Sequence, residues 1–260
     1  MLEPRIKLPP EIAKYIEIET CDDFNTNRYY VTQTQVDIIQ AIIRDRELAE
    51  KYKKYKVNYA NTTLLYGPTG TGKTTFARYV AHYFGKDFAY LNFSRLMDGG
   101  FGNTERNLST VFRYMTAQDC IFMIDEIDCI AVSRTLSTND TLKSITITMM
   151  QELDYCKSHN PKAIILAATN VKENLDAALL SRFSVKKEIP LLNNDDKAGF
   201  VFKYLNDLDV PYDGDQIREY IARNSRVTQR VMEQDIIRAL GIWIENDDKD
   251  DIIRLTSIAT

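Results

Sequence analysis

The chain has 260 residues, with 33 Lys and Arg against 37 Asp and Glu, a formal net charge of −4, and 44% hydrophobic residues. At roughly 150 residues per domain this predicts one large domain, or one plus a small one. The apolar content excludes a disordered chain, which could not bury enough surface to offset its ordering entropy, and the acidic balance argues against a protein that lives on nucleic acid.

The start, MLEPRIKLPPEIAK, carries prolines and charges where a secretion signal needs an apolar stretch. The longest uninterrupted apolar run, residues 163–168, is far short of a membrane span. A cytoplasmic location without membrane contact is expected. Four cysteines, Cys21, Cys120, Cys129 and Cys156, show no C-x-x-C pair, and the only histidines are His82 and His159. That is too sparse for a structural zinc site, so reduced thiols are expected.

In chain order, residues 1–33 read as an N-terminal arm with three prolines and the polar patch CDDFNTNR. From Thr34 to about Tyr55, Val36, Ile39, Ile42, Ile43 and Leu48 recur at helical spacing. That helix ends in Lys51-Tyr52-Lys53-Lys54-Tyr55-Lys56. The run could touch nucleic-acid phosphates while its tyrosines stack, or its lysines could simply complement the helix dipole. Short β-rich runs then alternate with helical patterns: TTLLY (62–66), FAYLNF (88–93), CIFMI (120–124), AIILAAT (163–169) and SVKKEIPL (184–191). Nearly continuous apolar runs suit strands covered on both faces, and strand–helix alternation predicts a parallel sheet sandwiched by helices. After Pro190 the pattern turns helical over 195–208, 214–223 and 228–244. The expected partition is therefore an arm (1–33), an α/β subdomain (34–191) and a small all-helical lid (192–260).

The strongest motif is Gly67-Pro68-Thr69-Gly70-Thr71-Gly72-Lys73-Thr74, which matches G-x-x-x-x-G-K-[ST] directly after a strand and opens the helical pattern FARYVAHYF. That context marks a phosphate-binding P-loop. Glycines let backbone N–H groups curl around anionic oxygens, and the helix N-terminus adds its positive end. Lys73 would reach the β- and γ-phosphates, and the Thr74 hydroxyl would ligate Mg²⁺. With Thr75, these residues form the expected phosphate-binding segment. The second motif, CIFMIDEID, ends an apolar strand in adjacent carboxylates. At the carboxyl edge of a parallel sheet Asp125 would sit beside the P-loop and hold Mg²⁺ through its water shell. Glu126 would polarise an attacking water.

With GPTGTGKT, IFMIDEID, ILAATN ending at Asn170 and LDAALLSRF ending at Phe183, the chain resembles the AAA family of ring-forming ATPases over about residues 34–240. DEIDCIAVSR and MMQELD also look like the family's stretches. The resemblance implies a P-loop AAA+ core with a five-stranded parallel sheet in a three-layer α-β-α arrangement, followed by the helical lid. It implies Mg-dependent ATP hydrolysis in a homo-oligomeric ring or spiral, six-membered by family habit, of a single-module bacterial or phage type.

Carried over residue by residue, Asn170 matches the sensor asparagine, whose amide can bond both the γ-phosphate and the attacking water; a helix cap is the plainer role. Arg182 matches the arginine finger that reaches a neighbour's γ-phosphate; an intrachain salt bridge is its alternative. Many relatives carry two arginines there, whereas this chain has only Arg182 before Lys186 and Lys187. Asn92 matches a polar residue that can hold the catalytic glutamate in an inactive pose, or caps a strand end. Phe101, between glycines in Gly99-Gly100-Phe101-Gly102, stands where relatives carry a pore loop that grips polypeptide, although the family's aromatic–aliphatic pair is absent. Arg230 stands at a sensor-2 position, with Arg226 or Arg223 as alternatives. The function implied is remodelling, unfolding or disassembly of a protein substrate or complex. A nucleic-acid-associated ATPase, such as a helicase loader or transposition helper, is the second reading.

Overall fold

Continuous apolar runs need cover on both faces, and they find it in one sheet. The computed structural model describes residues 3–97, 103–129, 140–246 and 252–257. In chain order its elements begin α1 (Pro10–Ala13), β1 (Ile16–Glu19), α2 (Gln33–Lys54), β2 (Asn61–Tyr66), α3 (Lys73–Phe84) and β3 (Asp87–Leu91). Then come α4 (Phe93–Met97), α5 (Asn103–Thr116), β4 (Cys120–Ile124), α6 (Asp140–His159), β5 (Ile164–Thr169), α7 (Ala177–Leu180) and β6 (Val185–Glu188). Three helices follow: α8 (Asn194–Leu208), α9 (Gly214–Arg223) and α10 (Gln229–Glu245).

The strand order is β1-β3-β4-β5-β2-β6. Strands β2 to β6 are mutually parallel, as the apolar runs predict. Among the described residues the sheet nevertheless has six strands rather than five, and it is mixed: β1 pairs antiparallel with β3, Ile16 opposite Leu91. This strand comes from the segment read as an irregular arm. Its four residues, IEIE, are too few for a period to stand out, and only the free edge of β3 makes them a strand. The opposite edge, β6, exposes Lys186 and Lys187, charges of the kind that keep an edge from pairing with other chains.

Contacts divide the chain into two units, the first comprising Met1–Phe24, Gln35–Gly67 and Lys73–Glu188. Its core joins sheet residues such as Leu64, Phe122, Ile124 and Ile165 to Leu108, Phe112 and Met115 of α5 and Ile145, Met149 and Leu153 of α6. Phe112 meets Phe122 edge-on at 5.2 Å between ring centroids, a favoured aromatic geometry. Buried Glu152 on α6 is held by Arg113 through two bonds of 3.0 and 3.1 Å, the pairing a desolvated carboxylate requires. The N-terminal segment is stapled on as well: buried Asp87 accepts the Arg5 and Ile6 amides at 2.7 and 3.2 Å, and Ile12, Tyr15 and Ile16 join the core.

The second unit comprises Asn25–Thr34, Pro68–Gly72 and Ile189–Thr260. Val201, Leu205, Ile217, Ile221, Met232 and Ile236 form the centre of its core. Each of its helices starts on a side-chain cap: Asn193 accepts from the Asp196 amide, Asp213 from those of Asp215 and Gln216, and Thr228 from that of Val231. These are the residue types that satisfy otherwise unpaired amides at a helix start. Residues 25–34 seat on α8, where Arg28 pairs with Asp207 at 2.8 Å and lies 4.5 Å over the Tyr204 ring. The unit also holds one isolated bridge, Tyr212 to Ile253, after the last helix.

Candidate nucleotide site

The strand order places β4, β5 and β2 side by side, so the residues after these three parallel strands emerge on one edge of the first unit. At the start of α3 Lys73 is buried, with 7% of the residue exposed. Its ammonium donates to the Gly67 carbonyl at 2.9 Å and to Asn170 Oδ1 at 2.7 Å. The next residue, Thr74, donates its hydroxyl to Asp125 Oδ2. Four sequence-predicted residues, Lys73, Thr74, Asp125 and Asn170, therefore meet although as many as 97 positions separate them.

Asp125 Oδ1 accepts the Glu126 amide at 2.8 Å. Glu126 has φ +50, a left-handed conformation that is uncommon for a residue with a side chain. It turns the chain out of β4 into a 3-10 turn over Ile127–Cys129, closed by the Cys129 amide on the Glu126 carbonyl at 2.9 Å. The Glu126 side chain is exposed. Nearby, burial and then the charges of Asp125 and Glu126 raise the pKa of the Tyr90 phenol. Asp128, in the same turn, accepts the Thr169 hydroxyl at 2.7 Å and the Asn170 amide at 3.3 Å.

The loop Pro68–Gly72 belongs to the second unit. Gly70 and Gly72 have φ +80 and +81, and Gly67, just before the loop, has φ +142. A Cβ at Gly72 would meet nothing within 4 Å, whereas one at Gly70 would lie 2.8 Å from Thr228 Oγ1. The start of α10 holds this loop: the Arg230 amide donates to the Gly70 carbonyl at 3.2 Å, and Gln229 Nε2 to the Thr71 carbonyl at 3.0 Å. Within the loop, Thr71 donates its hydroxyl to the Pro68 carbonyl at 2.9 Å. Thr69 and Thr75 are exposed.

Within the first unit, a buried ammonium at a helix start forms a donor set that suits a polyphosphate. A hydroxyl against a carboxylate is a hard-oxygen pair that suits Mg²⁺ rather than a softer metal. The residues present therefore fit both groups. Among the described residues no three His, Cys, Asp or Glu side chains gather as a metal cluster. Burial pushes the thiols of Cys120 and Cys156 up to about 12. No described helix is long and apolar enough to cross a membrane.

The remaining candidates have local partners. Arg182 pairs with Asp154 at 3.1 Å and donates to the Ala178 carbonyl at 2.7 Å, the intrachain arrangement. Asn92 caps α4, its Oδ1 accepting the Arg95 amide at 3.1 Å. Arg223 pairs with Glu219 one helical turn away, and Arg226 is exposed. Phe101 lies outside the described residues. Sequence reasoning missed Asp128, Thr169 and Gln229. Asp128 stood inside the acidic motif and Gln229 beside Arg230, but the types of these residues carried no hint of their partners.

Residues 63–191 match the family described as ATPase family associated with various cellular activities (AAA). The chain is 27% identical over 184 residues to an uncharacterized AAA family ATPase, y4kL, of Sinorhizobium fredii, covering 70% of this chain and 54% of that protein. It is 28% identical over 204 residues to 26S proteasome regulatory subunit 6A of Schizosaccharomyces pombe, covering 75% and 47%. It is 30% identical over 206 residues to the human ATPase family gene 2 protein homolog A, covering 74% and 23%. The chain thus spans about half, or less, of the length of these relatives.

Proposed function

Because the chain carries an AAA-family ATPase domain across residues 63–191, we propose that it hydrolyses ATP with Mg²⁺ as a subunit of a homo-oligomeric ring or spiral that remodels, unfolds or disassembles protein substrates. The observation that carries the hydrolytic part is the meeting of Lys73 with Asn170 and of Thr74 with Asp125. The relative named as a 26S proteasome regulatory subunit supports the protein-directed part.

In this reading Lys73 moves from the Gly67 carbonyl and Asn170 onto the phosphates, where its charge offsets what builds up on the γ-phosphoryl oxygens. Thr74 and Asp125 hold Mg²⁺, whose charge adds to that stabilisation. Glu126 accepts the proton of the attacking water as general base. Asn170 uses its amide to orient that water and the terminal phosphate, a positioning effect that lowers the entropic part of the barrier. Arg230, next to Gln229 at the start of α10, acts as a sensor of the nucleotide. Arg182 exchanges Asp154 for the γ-phosphate bound by a neighbouring copy. Asn92 trades its cap of α4 for Glu126 in the resting state, and Phe101 contacts the polypeptide.

The test is Glu126→Gln, which removes only the base. ATP affinity should persist while turnover falls about 10²-fold or more; near-normal turnover overturns the reading. The same variant should retain the protein it normally releases. The basic run over 51–56, with Tyr55 78% exposed, favours a second reading in which nucleic acid is the target. ATPase raised by unfolded polypeptide and indifferent to single- or double-stranded DNA separates the two.

A further inference from the structure

The ladder between β4 and β5 ends at the pair Ile124–Ala167. Thr169 is still paired on its other side, with Tyr66 of β2, but on the β4 side the ladder no longer reaches Thr169 or Asn170. The side chain of Asp128 takes over there. Its Oδ1 accepts the Thr169 hydroxyl at 2.7 Å and the Asn170 amide at 3.3 Å. The Thr169 hydroxyl in turn accepts the Val171 amide at 3.0 Å, so one fully buried side chain links the Asp128 carboxylate to the backbone that follows Asn170. Ile127, also fully buried, anchors the turn that carries Asp128 and that begins at Glu126.

We propose that Asp128 is a positioning residue that extends the sheet by its side chain, locking Asn170 to the Glu126 turn so that the two groups orienting the attacking water move as one body. The inference rests on the ATPase reading above. Charge-assisted bonds are shorter and about twice as strong as neutral ones, and a hydroxyl that donates to a carboxylate is a better acceptor for the next amide in the chain. Without Asp128, the Asn170 amide loses its partner and the asparagine is free to follow Lys73. Asp128 itself touches neither phosphate nor water in this scheme.

The experiment measures kcat, the affinity for a fluorescent ATP analogue, and Tm for the wild type, Asp128→Ala, Asp128→Asn, Thr169→Val and the double variant Asp128→Ala/Thr169→Val. Glu126→Gln serves as the reference. Loss of positioning should lower kcat of Asp128→Ala about tenfold or more, with nucleotide affinity within about threefold of wild type. Asp128→Asn, whose amide oxygen still accepts both bonds, should stay within about threefold of the wild-type kcat. Thr169→Val should slow turnover like Asp128→Ala, and the double variant should be no slower than about either single one, because both break one relay.

The proposal is overturned by a near-wild-type kcat in Asp128→Ala. It is equally overturned if Asp128→Asn fails to rescue, or if kcat falls only in step with nucleotide affinity. Should Asp128→Ala not fold, a wild-type kcat in Thr169→Val overturns it instead. A wild type without hydrolysis, or a Glu126→Gln as fast as wild type, removes the ATPase reading itself and is distinguishable from all of these.

Discussion

Glu126 holds a backbone conformation that costs on the order of 1–3 kcal/mol for a residue with a side chain. It is kept there by the Asp125 carboxylate on its amide, the closing bond at Cys129 and the buried Ile127. The conformation leaves the carboxylate exposed at the end of β4, where a general base can reach water. Gly70 is the matching case among residues without a side chain. Its φ of +80 and the 2.8 Å that would separate an added Cβ from Thr228 Oγ1 leave no room for alanine. Gly70→Ala should destabilise the protein by at least about 1 kcal/mol through left-handed strain and overpacking, and weaken ATP binding. Thermal melts and a nucleotide titration check both effects, and an unchanged Tm would show that Thr228 yields freely. At Gly72, where a Cβ meets nothing, only the φ cost applies.

Helical glycines in the second unit split in the same way, for reasons of packing rather than propensity. In a helix interior alanine normally stabilises by about 0.5–1 kcal/mol relative to glycine. On α10 a Cβ at Gly241 meets nothing within 4 Å, so Gly241→Ala should raise Tm. On α8 a Cβ at Gly199 would lie 2.3 Å from the Tyr30 ring, whose hydroxyl is fixed on Asp196 at 2.9 Å. Gly199→Ala should therefore lower stability by about 1–3 kcal/mol. Parallel melts of the two variants give opposite signs if Tyr30 is seated as described. The fully buried Lys197 on α8 is likewise fixed by its surroundings: its ammonium donates to the carbonyls of Asn224 and Ser225 that follow α9. Burial still pulls its pKa down.

In the proposed assembly, the side chain to test is Arg182. Within one chain it is satisfied by Asp154 and Ala178, so the proposed reach across an interface has to displace an existing ion pair. At 28% and 51% side-chain exposure, that pair is of the weak, solvent-screened kind, and a buried γ-phosphate would compete for the guanidinium easily. Arg182→Ala should bind ATP as well as wild type yet fail in the assembly. Mixed into wild-type subunits it should depress ATPase more than in proportion to its fraction, whereas a linear dilution curve argues that Arg182 serves its own chain.

The residues themselves already determined the glycine-rich turn after β2, the carboxylates after β4 and the parallel strands, because each is a contiguous signal. Left-handed turns favour glycine, doubly covered strands demand unbroken apolar runs, and an acidic pair closing such a run is placed at the sheet edge by the chain itself. Asn170 was legible through the family resemblance, but its bond to Lys73 was not. The tertiary structure alone decided that IEIE becomes an antiparallel edge strand, that Asp128 continues the β4–β5 ladder, that Gln229 and Arg230 hold the Gly70 loop, and that Arg182 rests on Asp154. All of these join residues distant along the chain, and their partners are chosen by strand order and helix placement, which local preference and periodicity do not encode.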